Sequence, residues 1–225
     1  MYYLGLDIGS SSIKAALVEV STGKSLGVVQ EPKEEMGMFA QKNGWAEQKP
    51  NDWWLHICNA ITKLKKEYNI SRTQIKGIGI SYQMHGLVLV DKKGNPLRKS
   101  IIWCDSRAVE IGNEAFQNIG EDKCASNLLN SPANFTASKL KWVQENEPAI
   151  YSQIHKFMLP GDYVAYKFSN KINTTISGLS EGIFWDFKND TIADFLLEHY
   201  GIDKNLVPDI VDTFGIQSLV DEKGE

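Results

Sequence analysis

The sequence predicts an α/β protein whose first part is an antiparallel meander of three strands. Three short apolar runs separated by tight turns occupy residues 2–32, and a long amphipathic run follows at 51–68. Strand-like and helix-like runs then follow in the order βββαβ(β)αααβ. This order fits neither a Rossmann unit nor a helical bundle, and a hydrophobic content of 42% is enough for one sizeable core.

Three apolar runs make up the predicted meander: residues 2–8, 13–20 and 25–32. The first run alternates in the manner of a half-buried strand. The second and third are joined by Ser-Thr-Gly-Lys, which is a turn sequence. Because short turns connect neighbouring strands, we expect the three to pair in an antiparallel manner.

The run at 51–68 is predicted to be an amphipathic helix, since its apolar residues recur every three or four positions. The residues expected on the buried face are Trp54, Ile57, Ile61, Leu64 and Tyr68. Asn51 follows Pro50 and is predicted to cap the start of the helix.

The rest of the chain is predicted to be richer in helices. A buried strand is expected at 75–83 and another strand at 86–91. Thr136 is the predicted cap of a helix at 136–147, and the run at 178–187 is predicted to return to strand. Further helices are expected at 106–120, just after Pro148, and within 156–168.

Composition limits the classes of partner. The formal net charge is −4 and no block of Lys or Arg stands out, so we expect no nucleic-acid partner. The three cysteines are far apart and form no metal or disulfide pattern. With no signal peptide and no apolar run of about 18 residues, a cytoplasmic protein without membrane contact is expected.

The first turn carries polar residues that a purely structural hairpin does not need. Asp7 lies inside an apolar strand, where a charge is costly unless a cation binds it, so it is predicted to face magnesium. A tight turn of successive N–H groups can bind an anion. The residues that could form such a cradle are Gly9, Ser10, Ser11, Ser12 and Lys14. The alternative is a plain hairpin with a turn-forming aspartate.

Two later stretches carry candidate ligand-binding residues. His85 lies in a Gln-Met-His-Gly turn between two strands, where Gly86 is expected to set the geometry, although a lone histidine is more often structural. In the stretch IIWCDSR, Trp103 could pack on the carbon face of a sugar. Asp105 could point into a cleft and accept hydrogen bonds from sugar hydroxyls, or it could cap a helix and pair with Arg107.

Taken together, these stretches resemble a known family. The first turn is similar to phosphate loop 1 of the actin-like ATPases, which include sugar kinases, Hsp70 and actin. Six stretches are similar, in order, to the motifs of the FGGY carbohydrate kinases, and within them of the xylulokinase group. They read LGLDIGSSSIKAAL, GWAEQKPNDWW, GIGISYQMHGLVLVDKKGNPLR, IIWCDSR, FTASKLKWVQENEP and LPGDYVAYK.

The resemblance implies a fold, an activity and partners. The fold would be RNase H-like (actin-like ATPase), with a central mixed sheet flanked by helices. The activity would be ATP-dependent phosphorylation of a pentulose, D-xylulose being the expected substrate and ATP and magnesium the cofactors. Residues 1–225 would form the amino-terminal, sugar-binding domain. Its expected partners are the sugar and a carboxy-terminal ATP-binding domain of the same protein, and a homodimer is compatible with this.

The resemblance also implies a role for each candidate residue. Asp7 would hold the magnesium ion of MgATP through water. The residues expected near the transferred phosphate are Gly9, Ser10, Ser11, Ser12 and Lys14. The residues expected to contact or line the sugar pocket are Gln83, Met84, His85, Trp103 and Asp105.

The sequence departs from the family pattern in two respects. Gly178 and Glu181 stand where related kinases carry Asp and Gly, which leaves the sugar open. The family's catalytic aspartate, in a Gly-Gly-x-Asp-Asn motif, usually comes a little beyond residue 225, so we expect this chain alone to be inactive. The alternatives are another FGGY kinase, acting on gluconate, ribulose or a polyol, and a non-catalytic sugar-binding module.

Overall fold

The structure, a computed structural model, describes residues 1–221 and contains twelve strands and eight α-helices within that range. The strands are β1 (Tyr2–Ile8), β2 (Ile13–Glu19), β3 (Ser25–Glu31), β4 (Glu47–Gln48), β5 (Ile75–Tyr82), β6 (Val88–Val90), β7 (Ser100–Ile101), β8 (Lys156–Met158), β9 (Asn173–Thr175), β10 (Trp185–Asp186), β11 (Thr191–Ile192) and β12 (Asp209–Val211). The helices are α1 (Pro50–Glu67), α2 (Val109–Ile119), α3 (Glu121–Asn127), α4 (Thr136–Asn146), α5 (Pro148–Tyr151), α6 (Pro160–Ser169), α7 (Ile176–Glu181) and α8 (Asp194–Tyr200).

A four-stranded mixed sheet with the order β3-β2-β1-β5 organises the first part of the fold. The predicted antiparallel meander β1-β2-β3 is confirmed, and β5 pairs with β1 in parallel. β5 was expected to be a buried strand, but none of its residues is fully buried. It lies at the edge of this sheet and has a neighbour on one side only, which explains the difference.

Helix α1 packs across β2 and β3 with a face slightly different from the predicted one. The fully buried residues of this face include Trp53, Ile57, Ala60 and Leu64. Trp53 takes the central place because its indole N–H donates a hydrogen bond to Gln48 inside the fold, at 3.1 Å. Trp54 is only partly buried and meets the ring of Phe168 edge-on, at 4.8 Å.

Neither predicted helix cap is confirmed. Helix α1 begins at Pro50 after Lys49, and the side chain of Asn51 instead accepts a hydrogen bond from the hydroxyl of Tyr163, at 2.7 Å. Thr136 is the first residue of α4 and not its cap, and its hydroxyl donates to the carbonyl of Gly86, at 3.4 Å. In both cases the polar side chain that was expected to cap the helix instead forms a hydrogen bond with a residue distant in the sequence.

The region predicted as strand at 178–187 is instead the end of α7 followed by the short strand β10. Thr175 caps α7, since its hydroxyl oxygen accepts a hydrogen bond from the N–H of Gly178, at 3.1 Å. This helix ends at Glu181, which contacts the Gln-Met-His-Gly turn. The correction therefore bears directly on the candidate site.

Strand β6 lies between the two hydrophobic cores of the described chain. Val88 and Val90 belong to the core that contains the four-stranded sheet and α1. Leu89, with Leu87 just before the strand, belongs to the second core, which includes residues of helices α2, α4, α7 and α8. Because both faces are covered, the strand is an unbroken apolar run. Among residues 1–221, no helix is both long and apolar enough to cross a membrane.

Asp162, in the first turn of α6, is expected to make stability depend on pH. Its carboxylate accepts a hydrogen bond from the N–H of Leu159, at 3.1 Å, and burial raises the pKa of Asp162 to about 7. A pKa raised in the folded state stabilises the protein below the unfolded value near 4, and this contribution is lost as pH rises through 7.

Asp162→Asn keeps an acceptor for Leu159 and cannot ionise. We expect the variant to gain stability relative to wild type between pH 5 and pH 8, by roughly 2 kcal/mol after allowance for solvent screening. Urea unfolding at the two pH values measures this difference. Asp52→Asn, in the exposed first turn of α1, is the matched control. A pH-independent difference for Asp162→Asn would contradict the prediction.

Candidate active site

The loop between β1 and β2 is a tight turn whose main chain is held from both sides. The N–H of Gly9 donates to the carbonyl of Ser12, at 3.0 Å, and a Cβ at position 9 would lie 3.0 Å from that same oxygen. The carbonyl of Ser10 accepts from Gln48, at 2.6 Å, and that of Ser11 accepts from the N–H of Met36, at 2.8 Å. The carbonyls are therefore occupied, and the Ser11 side chain lies at the surface.

Asp7 and Lys14 lie directly opposite each other on β1 and β2. Their charged groups are 3.9 Å apart, and their side chains are 53% and 52% exposed. The expectation that Asp7 is surrounded by apolar side chains is wrong, because strand alternation buries Leu6 and Ile8 and turns Asp7 to the other face. What the structure offers is an accessible carboxylate and an accessible ammonium beside the loop.

A single accessible carboxylate suits magnesium better than a closed metal cage would. No group of three or more His, Cys, Asp or Glu side chains within residues 1–221 could hold a metal ion. Magnesium binds oxygen ligands, keeps several waters, and commonly takes one or two carboxylates together with substrate phosphates. Asp7 fits such a role.

Gln48 is the centre of a hydrogen-bond network that the sequence interpretation missed. Its Oε1 accepts from Trp53, at 3.1 Å, and from Nε2 of Gln83, at 3.2 Å, while its Nε2 donates to Ser10. Gln83 was expected to contact the sugar, but its side chain is buried and joins this network. Its main-chain N–H also donates to Ile8, at 2.8 Å. Gln83 therefore connects the turn to the sheet.

The Gln-Met-His-Gly turn places Met84 at the surface, 54% exposed, and His85 half-buried beside it. His85, not Gly86, has the left-handed backbone, with φ of 56°. Gly86 is required for a different reason: a Cβ there would lie 2.5 Å from Cγ of Pro160. The His85 ring meets Phe135 edge-on, with 4.4 Å between centroids.

Lys139 of α4 is fully buried under this turn, and its ammonium donates to the carbonyl of His85, at 2.8 Å. Burial lowers the pKa of Lys139 to about 8, while the charge of Asp105 acts in the opposite direction. A lysine within a helical run carries no sequence signal for burial, so this residue was not predicted. It connects the His85 turn electrostatically to the segment that follows Trp103.

Trp103 joins the two halves of the candidate site. Its side chain is 46% exposed, and its indole N–H donates to the hydroxyl of Ser10, at 3.4 Å. Its carbonyl accepts from the side chain of Asn134, at 3.3 Å. An exposed aromatic face therefore lies next to the first loop, although residues 10 and 103 are far apart in the sequence.

Asp105 does not face a cleft, and the expectation that it binds sugar hydroxyls is corrected. Its side chain is 0% exposed and accepts hydrogen bonds from the N–H of Ala46 and from the guanidinium of Arg107, both at 2.6 Å. Arg107 also pairs with Glu47, at 2.8 Å, and lies 3.8 Å from the ring centroid of Trp45. The ion-pair alternative is the correct one, and Asp105 anchors the segment that carries Trp103.

The chain has the actin-like ATPase fold, which is the fold of the sugar kinases that it matches in structure. Residues 2–223 match the FGGY family of carbohydrate kinases, N-terminal domain. The chain therefore belongs to the FGGY family of carbohydrate kinases.

Individual relatives agree with this assignment. A xylulose kinase from Staphylococcus xylosus is 31% identical over 93% of this chain and 42% of its own length. The structure of a xyloylose (xylulose) kinase from Brucella ovis is 28% identical, with a TM-score of 0.90 over 99% of this chain and 46% of that one. A gluconate kinase from Lactobacillus acidophilus is 22% identical, with a TM-score of 0.87 over 99% and 44%. The chain thus spans about two fifths of the curated relative's length.

Removal of the two aspartates predicted for the site should affect the free energy of unfolding very differently. Asp105→Ala leaves the Arg107 guanidinium buried without its main partner, and we expect the free energy of unfolding to fall by about 3–5 kcal/mol. Asp7→Ala removes an exposed side chain and should change it by no more than about 0.5 kcal/mol. Chemical denaturation of both variants compares the two positions. A wild-type stability for Asp105→Ala would show that the buried ion pair is not an anchor.

Proposed function

We propose that this chain is the sugar-binding part of an ATP-dependent pentulose kinase that converts D-xylulose to D-xylulose 5-phosphate. The observation that carries the proposal is the contact between Trp103 and Ser10, which brings an exposed aromatic face next to the glycine-serine loop. Similarity to xylulose kinases over nearly the whole chain supports it.

The phosphate end of the proposed site is the loop at 9–12 with its flanking charges. The N–H of Gly9 is bonded to the Ser12 carbonyl, so the remaining N–H groups of the loop and the hydroxyls of Ser10 and Ser11 face the transferred phosphoryl group. The Lys14 ammonium offsets its negative charge. Asp7 would hold the magnesium ion of MgATP. That ion, when bound, neutralises charge on the phosphates.

The sugar end of the proposed site consists of Met84, His85 and Trp103. The exposed indole of Trp103 and the thioether of Met84 cover carbon-bound faces of the sugar, and His85 hydrogen-bonds one of its hydroxyls. Gln83 and Asp105 hold this surface in place from below and do not touch the substrate.

The proton of the attacking hydroxyl needs an acceptor. Asp105 is enclosed in its ion pair, and Glu181 accepts a hydrogen bond from the main chain of His85. Neither carboxylate is free for general-base catalysis, which requires direct contact with the proton. In keeping with the FGGY pattern, we propose that a carboxy-terminal domain supplies the base and the rest of the ATP pocket and is the partner of this chain.

A second candidate substrate class is another ketose, such as ribulose, or a polyol. The reason is helix α7, which touches His85 through Glu181 and differs from the xylulokinase pattern at Gly178 and Glu181. A change next to His85, the residue proposed to bind the sugar, alters which hydroxyls the site can bind. The reaction type, phosphorylation by ATP, is the same in both cases.

A coupled ADP-release assay tests the proposed activity. With residues 1–225 joined to the carboxy-terminal domain, we expect sugar-dependent ADP release that is fastest with D-xylulose among D-xylulose, ribulose, gluconate and a polyol. Residues 1–225 alone should fold and give none, because phosphoryl transfer needs base, alcohol and nucleotide in contact. If ADP release were fastest with gluconate, gluconate would replace D-xylulose as the proposed substrate. No release with any sugar would favour a non-catalytic binding module.

Asp7→Asn separates a role in phosphoryl transfer from a role in folding. In the two-domain protein we expect kcat to fall by about 100-fold, on the scale of one lost electrostatic contact with the transition state, while sugar affinity stays the same. Initial rates over a range of sugar concentrations give both quantities, with Asp52→Asn as the exposed control. If sugar affinity fell together with kcat, Asp7 would be needed for the fold.

A further inference from the structure

Two separate groups of Glu181 hold His85. The side-chain Oε1 of Glu181 accepts a hydrogen bond from the main-chain N–H of His85, at 2.6 Å. The main-chain carbonyl of Glu181 lies 3.0 Å from Nδ1 of the His85 ring. One residue at the end of α7 therefore fixes both the backbone and the imidazole of a residue 96 positions earlier in the chain.

The second of these contacts determines which ring nitrogen carries the proton. A carbonyl oxygen can only accept, so Nδ1 must donate and therefore holds a hydrogen. In a neutral imidazole the other nitrogen, Nε2, is then an acceptor. Within residues 1–221, Nε2 has no hydrogen-bond partner. It is also not enclosed by the protein. It is thus available to a ligand.

The first contact holds a backbone conformation that a histidine seldom adopts. His85 has a left-handed φ of 56°, which is unfavourable for a residue with a Cβ. Its N–H is held by the Glu181 carboxylate and its carbonyl by the Lys139 ammonium, at 2.8 Å. Hydrogen bonds to charged groups are stronger than neutral ones, so this pair offsets the strain.

The surroundings favour a neutral ring. Burial lowers the pKa of His85, and the nearby charge of Lys139 lowers it further, whereas the contact with Glu181 acts in the opposite direction. The other titratable groups around Glu181 are Tyr82 and Asp162. Burial raises the pKa of Glu181, and the hydrogen bond from the His85 main chain and the neighbouring Tyr82 hydroxyl oppose that rise.

We propose that Glu181 is a positioning residue that fixes His85 as the Nδ1–H tautomer and so presents Nε2 as an acceptor for a substrate hydroxyl. Its assignment to the sugar rests on the proposed function. An acceptor-only nitrogen binds a hydroxyl, which can donate, and disfavours an ionised carboxylate, which cannot. The site would therefore select neutral ketoses or polyols over sugar acids at this position.

The tautomer can be measured without any sugar. We would label the histidines of the full chain with ¹⁵N, record long-range proton–nitrogen spectra at pH 7, and assign His85 among the four histidines with His85→Gln. In wild type we expect a protonated Nδ1 and an unprotonated Nε2. Glu181→Gln, which keeps a side-chain acceptor for the His85 N–H, should retain this pattern. Glu181→Ala keeps the main-chain carbonyl but releases the His85 backbone, so Nδ1 can leave that carbonyl and the ring should exchange between tautomers. Glu198→Ala, at an exposed position of α8, is the matched control.

Three outcomes would overturn the proposal. They are a proton on Nε2 in wild type, a charged ring at pH 7, and an unchanged spectrum in a Glu181→Ala variant that circular dichroism shows to be folded. If Glu181→Ala does not fold, the wild-type and Glu181→Gln spectra still decide the tautomer.

A sugar titration separates this proposal from the proposed function. D-xylulose should shift the Nε2 resonance in wild type, gluconate should not, and the D-xylulose Kd should rise about tenfold in Glu181→Ala, as for one lost hydrogen bond. A correct tautomer with no response to any sugar would overturn the proposed function and leave the role of Glu181 in place. A response to gluconate as large as that to D-xylulose would contradict the selectivity.

Discussion

The candidate site depends on the side chain of Gln48, which is buried and makes hydrogen bonds to Ser10, Trp53 and Gln83. These partners come from the first loop, helix α1 and the end of β5. A buried amide that loses a partner costs about 1–3 kcal/mol, so the three segments support one another. The glycine-serine loop is therefore held in one conformation by a residue that is itself buried.

The charged residues of the site fall into two groups that differ in exposure. Asp105, Arg107 and Glu47 are enclosed and paired, with the Arg107 guanidinium stacked against Trp45. Asp7 and Lys14 are half exposed and only loosely paired, at 3.9 Å. Enclosed ion pairs fix geometry, whereas exposed charges can exchange one partner for another with little cost. Binding of a charged ligand is the natural use of the second group.

The sequence was sufficient for features that depend on local periodicity. The alternation in β1 and the spacing in α1 predicted the meander and the helix, and the ordered motifs predicted the family. The direction of Asp105 and the edge position of β5 could not be predicted, because both follow from pairing between distant segments. Trp53 replaced Trp54 in the core for the same reason, since its indole N–H finds Gln48 only in the folded chain.

Some residues of the site could likewise be predicted from the sequence, and others could not. Glycine, serine and tryptophan in ordered motifs pointed to the first loop and to Trp103, and the structure brings these together. The supporting residues Gln48 and Lys139 lie within the ordered motifs and Glu181 lies at a departure from the family pattern, but nothing in the sequence predicted that they would be buried or would support the site. A polar residue in a helix or loop is usually solvated, and only the packing of the whole chain shows that these are enclosed or engaged.

The double burial of β6 has a consequence for how the two ends of the site are related. The first loop is built on the core of the sheet, whereas Lys139 and Glu181 come from helices of the second core. One three-residue strand is shared by both cores, with alternate side chains in each. The relative position of the phosphate end and the sugar end therefore depends in part on packing around this strand. A change of side-chain volume in this strand would alter the distance between the phosphate end and the sugar end while each binding surface stayed intact.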